Sequence, residues 1–130
     1  MEDDHGKPLV LVLEGEPLVA WKLEVALTNA GFVVALALSC YDAERWLTDR
    51  SPDAAILDAK LTDGDGATVA RTLVEQGVPF IVQTRDDLDG REEAFRYGSV
   101  VIKSADSFAI VELVRSLLER KTAAGETRER

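Results

Sequence analysis

The apolar residues of this chain fall into short continuous runs, separated by stretches in which they recur at spacings of three and four. "PLVLVLE" (8–14) is rich in Val and Leu, too short for a helix, and bounded by Gly15 and Pro17. Such a run reads as a buried strand. Pro17 suits the first turn of a helix, and Val19, Leu23, Ala26, Leu27 and Ala30 keep helical spacing up to Gly31, where that helix should stop. The unit then repeats. "FVVALAL" (32–38) predicts a second strand, Ser39 with Asp42 three residues later resembles a capping box, and Ala43, Trp46 and Leu47 give the next helix its apolar face. "AAILD" (54–58) is a third strand. It is followed, after a glycine turn at 63–66, by a helix that uses Val69, Leu73 and Val74 and ends at Gly77. "PFIVQT" (79–84) predicts a fourth strand, 89–97 a short helix, and "VVIK" (100–103) a fifth strand. A last helix carries Phe108, Val111, Val114, Leu117 and Leu118.

Five strand–helix units with continuous rather than alternating apolar strands imply a parallel sheet covered on both faces. Sites in such sheets form outside the carboxyl ends of the strands. The strand tips carry Glu14, Asp58, Thr84 and Lys103, so the candidate chemistry gathers at one end of the sheet.

Composition narrows the function classes. With 130 residues, 46% of them hydrophobic, the chain suits one domain with its own core. That domain is expected over 8–120, with polar, flexible tails at 1–7 and 121–130. The longest apolar run, 32–38, falls far short of the ~20 residues of a membrane span, and no basic-then-apolar leader opens the chain. The single cysteine, Cys40, cannot form an internal disulfide, in keeping with a reducing compartment. A cytoplasmic protein without a membrane partner is therefore expected. The formal charge of −9 repels phosphate backbones and turns the expectation from nucleic acid to a protein partner.

Two carboxylates, a hydroxyl and a lysine around one crevice suit phosphoryl transfer to a carboxylate. "VLEGEPL", "PDAAILD", "VPFIVQT" and "VVIK", in this order and spacing, resemble the receiver domain of two-component response regulators across almost all of 8–120. The resemblance implies a flavodoxin-like (CheY-like) three-layer α/β sandwich, with a five-stranded parallel sheet of order 2-1-3-4-5 and five helices. It implies a stand-alone receiver, not an enzyme, in which Asp58 accepts a phosphoryl group from a histidine kinase or phosphotransfer protein and signals to a downstream protein partner. It further implies Mg2+ held by Glu14, Asp58 and the backbone carbonyl of Lys60, phosphoryl contacts from Thr84 and Lys103, and homodimerisation through the face formed by the fourth and fifth helices.

Four positions depart from the family pattern. Gly15 replaces the second member of the acidic pair, so Mg2+ binding should be weakened, because that ion demands near-octahedral oxygen geometry. With one carboxylate fewer, less cation is required. Lys60 and Arg85 are close enough in sequence to supply positive charge, and Arg85 could equally cap the acceptor. Ser104 follows Lys103 where the family has a cis proline. A cis bond before a non-proline residue costs roughly 2.5–4 kcal/mol, so a trans bond and a reshaped loop are expected. Val100 replaces the aromatic residue that reports phosphorylation by changing rotamer, and a β-branched side chain is stiff at its first torsion. Tyr97 and Phe108 are the nearest aromatic substitutes in sequence.

Taken singly, the same residues have ordinary readings: Asp58 as a turn or cap residue, Thr84 as strand filler, Lys103 as a solvated charge. Glu16 favours a helix start through the helix dipole. "DGDG" at 63–66 reads as a tight turn, since it lacks the third acidic position and the distant bidentate Glu of a calcium loop. Arg91, Glu92, Glu93 and Arg96 read as a solvated helix face, and Cys40 as structural. The alternative to a working receiver is a degenerate one, a phosphorylation-independent protein-binding module. A small enzyme using Asp58 as nucleophile lacks both a lid-sized insertion and a second catalytic acid.

Overall fold

A computed structural model of the chain describes residues 6–61, 63–84, 98–102 and 106–128. The elements in chain order are β1 (Leu9–Leu13), α1 (Pro17–Asn29), β2 (Val33–Ala37), α2 (Cys40–Leu47), β3 (Ala54–Asp58), β4 (Lys60–Leu61), β5 (Gly64–Asp65), α3 (Ala67–Gln76), β6 (Phe80–Thr84), β7 (Ser99–Ile102) and α4 (Ser107–Arg128). One sheet runs β2-β1-β3-β6-β7, with every neighbouring pair parallel. The two-residue strands β4 and β5 form a separate antiparallel hairpin directly after β3. Four helices lie among the described residues. The further helix expected over 89–97 lies outside them.

Strand side chains alternate between the two faces of the sheet, and the core accordingly divides in two. Leu11, Leu13, Ala55, Leu57 and Val82 pack with Ala43 and Leu47 of α2 and Val69, Ala70 and Leu73 of α3. Val10, Val12, Ile56 and Ile81 pack with Leu23 and Leu27 of α1 and with Ile110, Val114 and Leu117 of α4. Each fully buried leucine of this kind contributes about 1.5–3 kcal/mol relative to remaining in water. All five residues of β3 and of β6 are buried, which explains their continuous apolar runs. β2 departs from the expectation of full burial: it is the sheet's edge, and only Ala37 of its five residues is buried. An edge strand is covered less well by its neighbours than a central one.

The helix ends follow local chemistry. Pro17 opens α1. Ser39 Oγ accepts from the Asp42 N–H at 3.1 Å and caps α2. Gly31 (φ 99°) and Gly77 (φ 73°) supply the left-handed residue that lets Phe32 N–H reach Leu27 O and Val78 N–H reach Leu73 O, the bonding of a Schellman stop. In α4 the core stripe is Ile110, Val111, Val114 and Leu117. Phe108, expected on that stripe, is 73% exposed, because it lies roughly 200° before Ile110 around the helix. α4 also continues to Arg128, so 121–128 of the segment expected to be a tail are helical. Its Lys, Ala, Glu and Arg residues are good helix formers.

Candidate functional site

β1, β3 and β6 are central, parallel neighbours, so their carboxyl ends open on one crevice. Asp58 is the last residue of β3, in register with Gln83 of β6, and the Ala59 N–H extends the ladder to Gln83 O at 2.9 Å. Leu13 pairs with Leu57, which sets Glu14 and Asp58 at the next position of adjacent strands. Glu14 is 0%, Asp58 5% and Thr84 1% exposed. The three polar residues that the strand pattern placed at these tips are thus brought together and buried. Burying charged and polar groups is costly unless they are paired, and Glu14, Asp58 and Thr84 each have an interaction partner in this buried corner.

Gln83 was not singled out by the sequence. It is 1% exposed, and its Oε1 makes no hydrogen bond among the described residues. The available signal was a lone amide in an otherwise apolar strand, "PFIVQT".

The loops that flank Asp58 differ. After β1, Glu14 Oε2 accepts from the Glu16 N–H at 3.0 Å, folding the carboxylate onto the start of α1. A Cβ at Gly15 would stand 3.0 Å from Leu61 Cδ1, so Leu61 borders the place a side chain there would take. After β3, the chain turns through the β4–β5 hairpin and is closed at its base by Gly66 N–H to Ala59 O at 3.0 Å. At the hairpin's tip the Asp63 carboxylate accepts from Cys40 N–H at 3.0 Å and Tyr41 N–H at 3.1 Å, the first residues of α2. Those two N–H groups, Cys40 first, hold the Asp63 carboxyl below its ordinary pKa against a smaller opposing desolvation. The tight turn expected over "DGDG" is instead part of a hairpin, with Gly64 and Asp65 in β5 and Asp63 at the tip, where its carboxylate also caps a neighbouring helix.

Lys60 lies in β4 and Val100 in β7. Arg85, Lys103 and Ser104, with the bond joining the last two, lie outside the described residues, as do Tyr97 and the charged group at 91–96. β7 ends at Ile102, paired with Thr84. A separate apolar cavity of about 410 Å³, lined by Val74, Val78, Phe80 and Leu117 among others, sits at the opposite end of β6 from Asp58.

A sequence profile of the response regulator receiver domain matches residues 10–115. The chain belongs to that family. Among relatives of this receiver domain, the transcriptional regulatory protein PrrA of Mycobacterium tuberculosis is 31% identical over 98% of this chain and 58% of its own length. The transcriptional activator protein IrlR of Burkholderia pseudomallei is 32% identical over 91% of this chain and 53% of its own length. The receiver chain thus spans a little over half the length of these curated relatives. Among solved structures, a two-component response regulator from Clostridium difficile superposes with a TM-score of 0.80 at 23% identity, covering 88% of this chain and 98% of that one. A CheY-like receiver domain from Methanospirillum hungatei JF-1 gives 0.83 at 14% identity, covering 92% and 99%. At these identities the structural likeness shows the fold, which is flavodoxin-like.

Receiver domains typically bind Mg2+ at the phosphorylation site. Here the residues fit that ion poorly. One oxygen of Glu14 is engaged by the Glu16 N–H, position 15 offers no side chain, and among the described residues no group of three or more His, Cys, Asp or Glu side chains could hold a metal ion. Among the same residues no helix is long and apolar enough to cross a membrane.

Proposed function

We propose that this receiver accepts a phosphoryl group on Asp58 from a histidine kinase or phosphotransfer protein and signals in the cytoplasm by binding a downstream protein. The observation that carries this reading is the convergence of Glu14, Asp58 and Thr84, all nearly inaccessible to solvent, at the tips of three adjacent strands. In the transfer, an Asp58 carboxylate oxygen forms a bond to phosphorus while the bond from phosphorus to the donor's imidazole nitrogen breaks. The imidazole, protonated on its other nitrogen, leaves neutral. The Thr84 hydroxyl donates to a phosphoryl oxygen and the Lys103 ammonium pairs with the phosphoryl charge.

With Gly15 in the acidic pair, phosphoryl uptake depends only weakly on Mg2+. Lys60, in the hairpin after Asp58, and Arg85, after Thr84, are the cations nearest in sequence. They neutralise phosphoryl oxygens or restrict access to the acceptor. The switch that follows does not use an aromatic rotamer at Val100.

The donor side is supported by α1, which starts at the mouth of the crevice. Beyond its buried Leu23 and Leu27 it presents Leu18, Trp21 and Val25 to solvent, and only Lys22 and Glu24 are charged in its 13 residues. A helix apolar on several sides is suited to being covered, and a donor reaching Asp58 passes over this stripe. A second reading, the phosphorylation-independent binding module, is favoured by Gly15 and by the engagement of Glu14 with its own loop.

The test is incubation with acetyl phosphate, with and without Mg2+, followed by intact mass for wild type and Asp58→Asn. An adduct on wild type alone supports the acceptor reading. Absence of an adduct, with a silent beryllofluoride titration, favours the binding module. On the acceptor reading, a Trp21→Ala variant should lose uptake from a protein donor and keep uptake from acetyl phosphate.

A further inference from the structure

The geometry points to Asp63 as a positioning residue for phosphoryl acceptance, whose carboxylate ties the loop following Asp58 to the first turn of α2. The inference rests on the acceptor reading above and extends it to a residue that touches neither donor nor phosphoryl group.

The segment from Ala59 to Gly66 is held at its base by Ala59 N–H to Gln83 O and by Gly66 N–H to Ala59 O. On one side Leu61 lies against Gly15 of the β1–α1 loop. The tip is held by Asp63, whose two oxygens accept separately from Cys40 and Tyr41. A hairpin fixed at base and tip cannot pivot about its base, so the backbone of Lys60 and the chain direction at Asp58 are fixed with it. Releasing the tip leaves the base bonds intact and frees the hairpin to swing. A misplacement of about 1 Å near reacting groups can cost on the order of 100-fold in rate.

α2 offers an internal control. Its N-terminus has two caps from different loops: Ser39 Oγ on the Asp42 N–H, and Asp63 on the Cys40 and Tyr41 N–H groups. Both stabilise the same helix end, and only Asp63 connects it to the acceptor loop. If Asp63 acts merely by stabilising α2, removing either cap has the same consequence.

The experiment follows the rate of adduct formation on the full chain with acetyl phosphate for wild type, D63A, D63N and S39A, alongside the thermal midpoint of each. In the reaction an Asp58 oxygen bonds to phosphorus as the phosphorus–oxygen bond to the acetyl group breaks and acetate leaves. D63A should slow uptake about tenfold, D63N less, since its amide oxygen still accepts one N–H, and S39A should leave the rate unchanged while lowering the midpoint. Uptake by D63A at the wild-type rate overturns the inference, as does equal slowing by S39A and D63A. Should D63A fail to fold, D63N against S39A makes the same comparison. No adduct on wild type overturns the acceptor reading and this inference with it, and is seen before any variant is compared.

Discussion

The two loops that flank Asp58 solve the same problem with different means. The β3–α3 side is fastened by the chain's own hydrogen bonds, at the hairpin's base and at Asp63. The β1–α1 side has Glu14 turned onto the Glu16 N–H and no side chain at 15. One side is held by protein contacts among its described residues, and the other has a glycine where a further side chain could stand. Geometry at Asp58 and charge beside it are therefore set by different loops, which meet where Leu61 lies against position 15.

Gly15→Asp is the largest change this comparison allows. The new Cβ meets Leu61 Cδ1 at 3.0 Å, the end of a flexible side chain that needs to shift by only a fraction of an ångström. The substitution restores a second carboxylate to the crevice. Apparent Mg2+ affinity, read from the Mg2+ dependence of uptake from acetyl phosphate, should rise at least about tenfold, the low end of what even an outer-shell partner contributes at a metal site. An unchanged Mg2+ response in a folded Gly15→Asp protein would mean that the β1–α1 loop is reduced for a reason other than the missing carboxylate.

Gln83→Leu probes the strand that flanks β3 on the side away from β1. The Gln83 amide is buried beside Asp58 with no bond to its Oε1. A buried acceptor left unsatisfied costs about 1–3 kcal/mol, and leucine is close to it in size. The variant should be more stable than wild type by about 1 kcal/mol on that basis, measured by urea unfolding. Loss of stability instead would show that the amide has a partner in solution and that the site is more tightly bonded than its register neighbours suggest.

Much of this architecture was legible because it is periodic. The β3 run "AAILD" and the stops at Gly31 and Gly77 follow from backbone chemistry that each short stretch carries by itself, and Glu14, Asp58 and Thr84 fell at the tips because the strands ended there. What was illegible depends on distance along the chain or on a neighbour's absence. Asp63 reaches Cys40 across 23 positions, and no local pattern announces that a turn aspartate will cap a remote helix. β2 reads as buried until its place at the sheet edge is known. Phe108 reads as core because "SFAIV" admits two helical stripes, and only packing against the sheet selects Ile110.

The smallest expected effect sharpens the comparison most directly, because it titrates one loop and leaves the other alone. Asp63 has a lowered pKa, caused first by the Cys40 N–H and then by the Tyr41 N–H. A carboxylate with a depressed folded-state pKa contributes stability that is fully present above its unfolded value of about 3.9 and is lost as the pH falls through the folded value below it. Asp63→Asn removes that charge at every pH. The gap in urea midpoint between wild type and Asp63→Asn should therefore be constant from neutral pH down to about pH 5 and narrow below about pH 4. Asp63 lies at the surface, so the gap should also shrink with added salt, as exposed charge interactions do. A gap that persists undiminished in acid would mean that the oxygens of Asp63 serve α2 through shape alone, and that the negative charge at the tip of the hairpin after Asp58 contributes nothing to holding it.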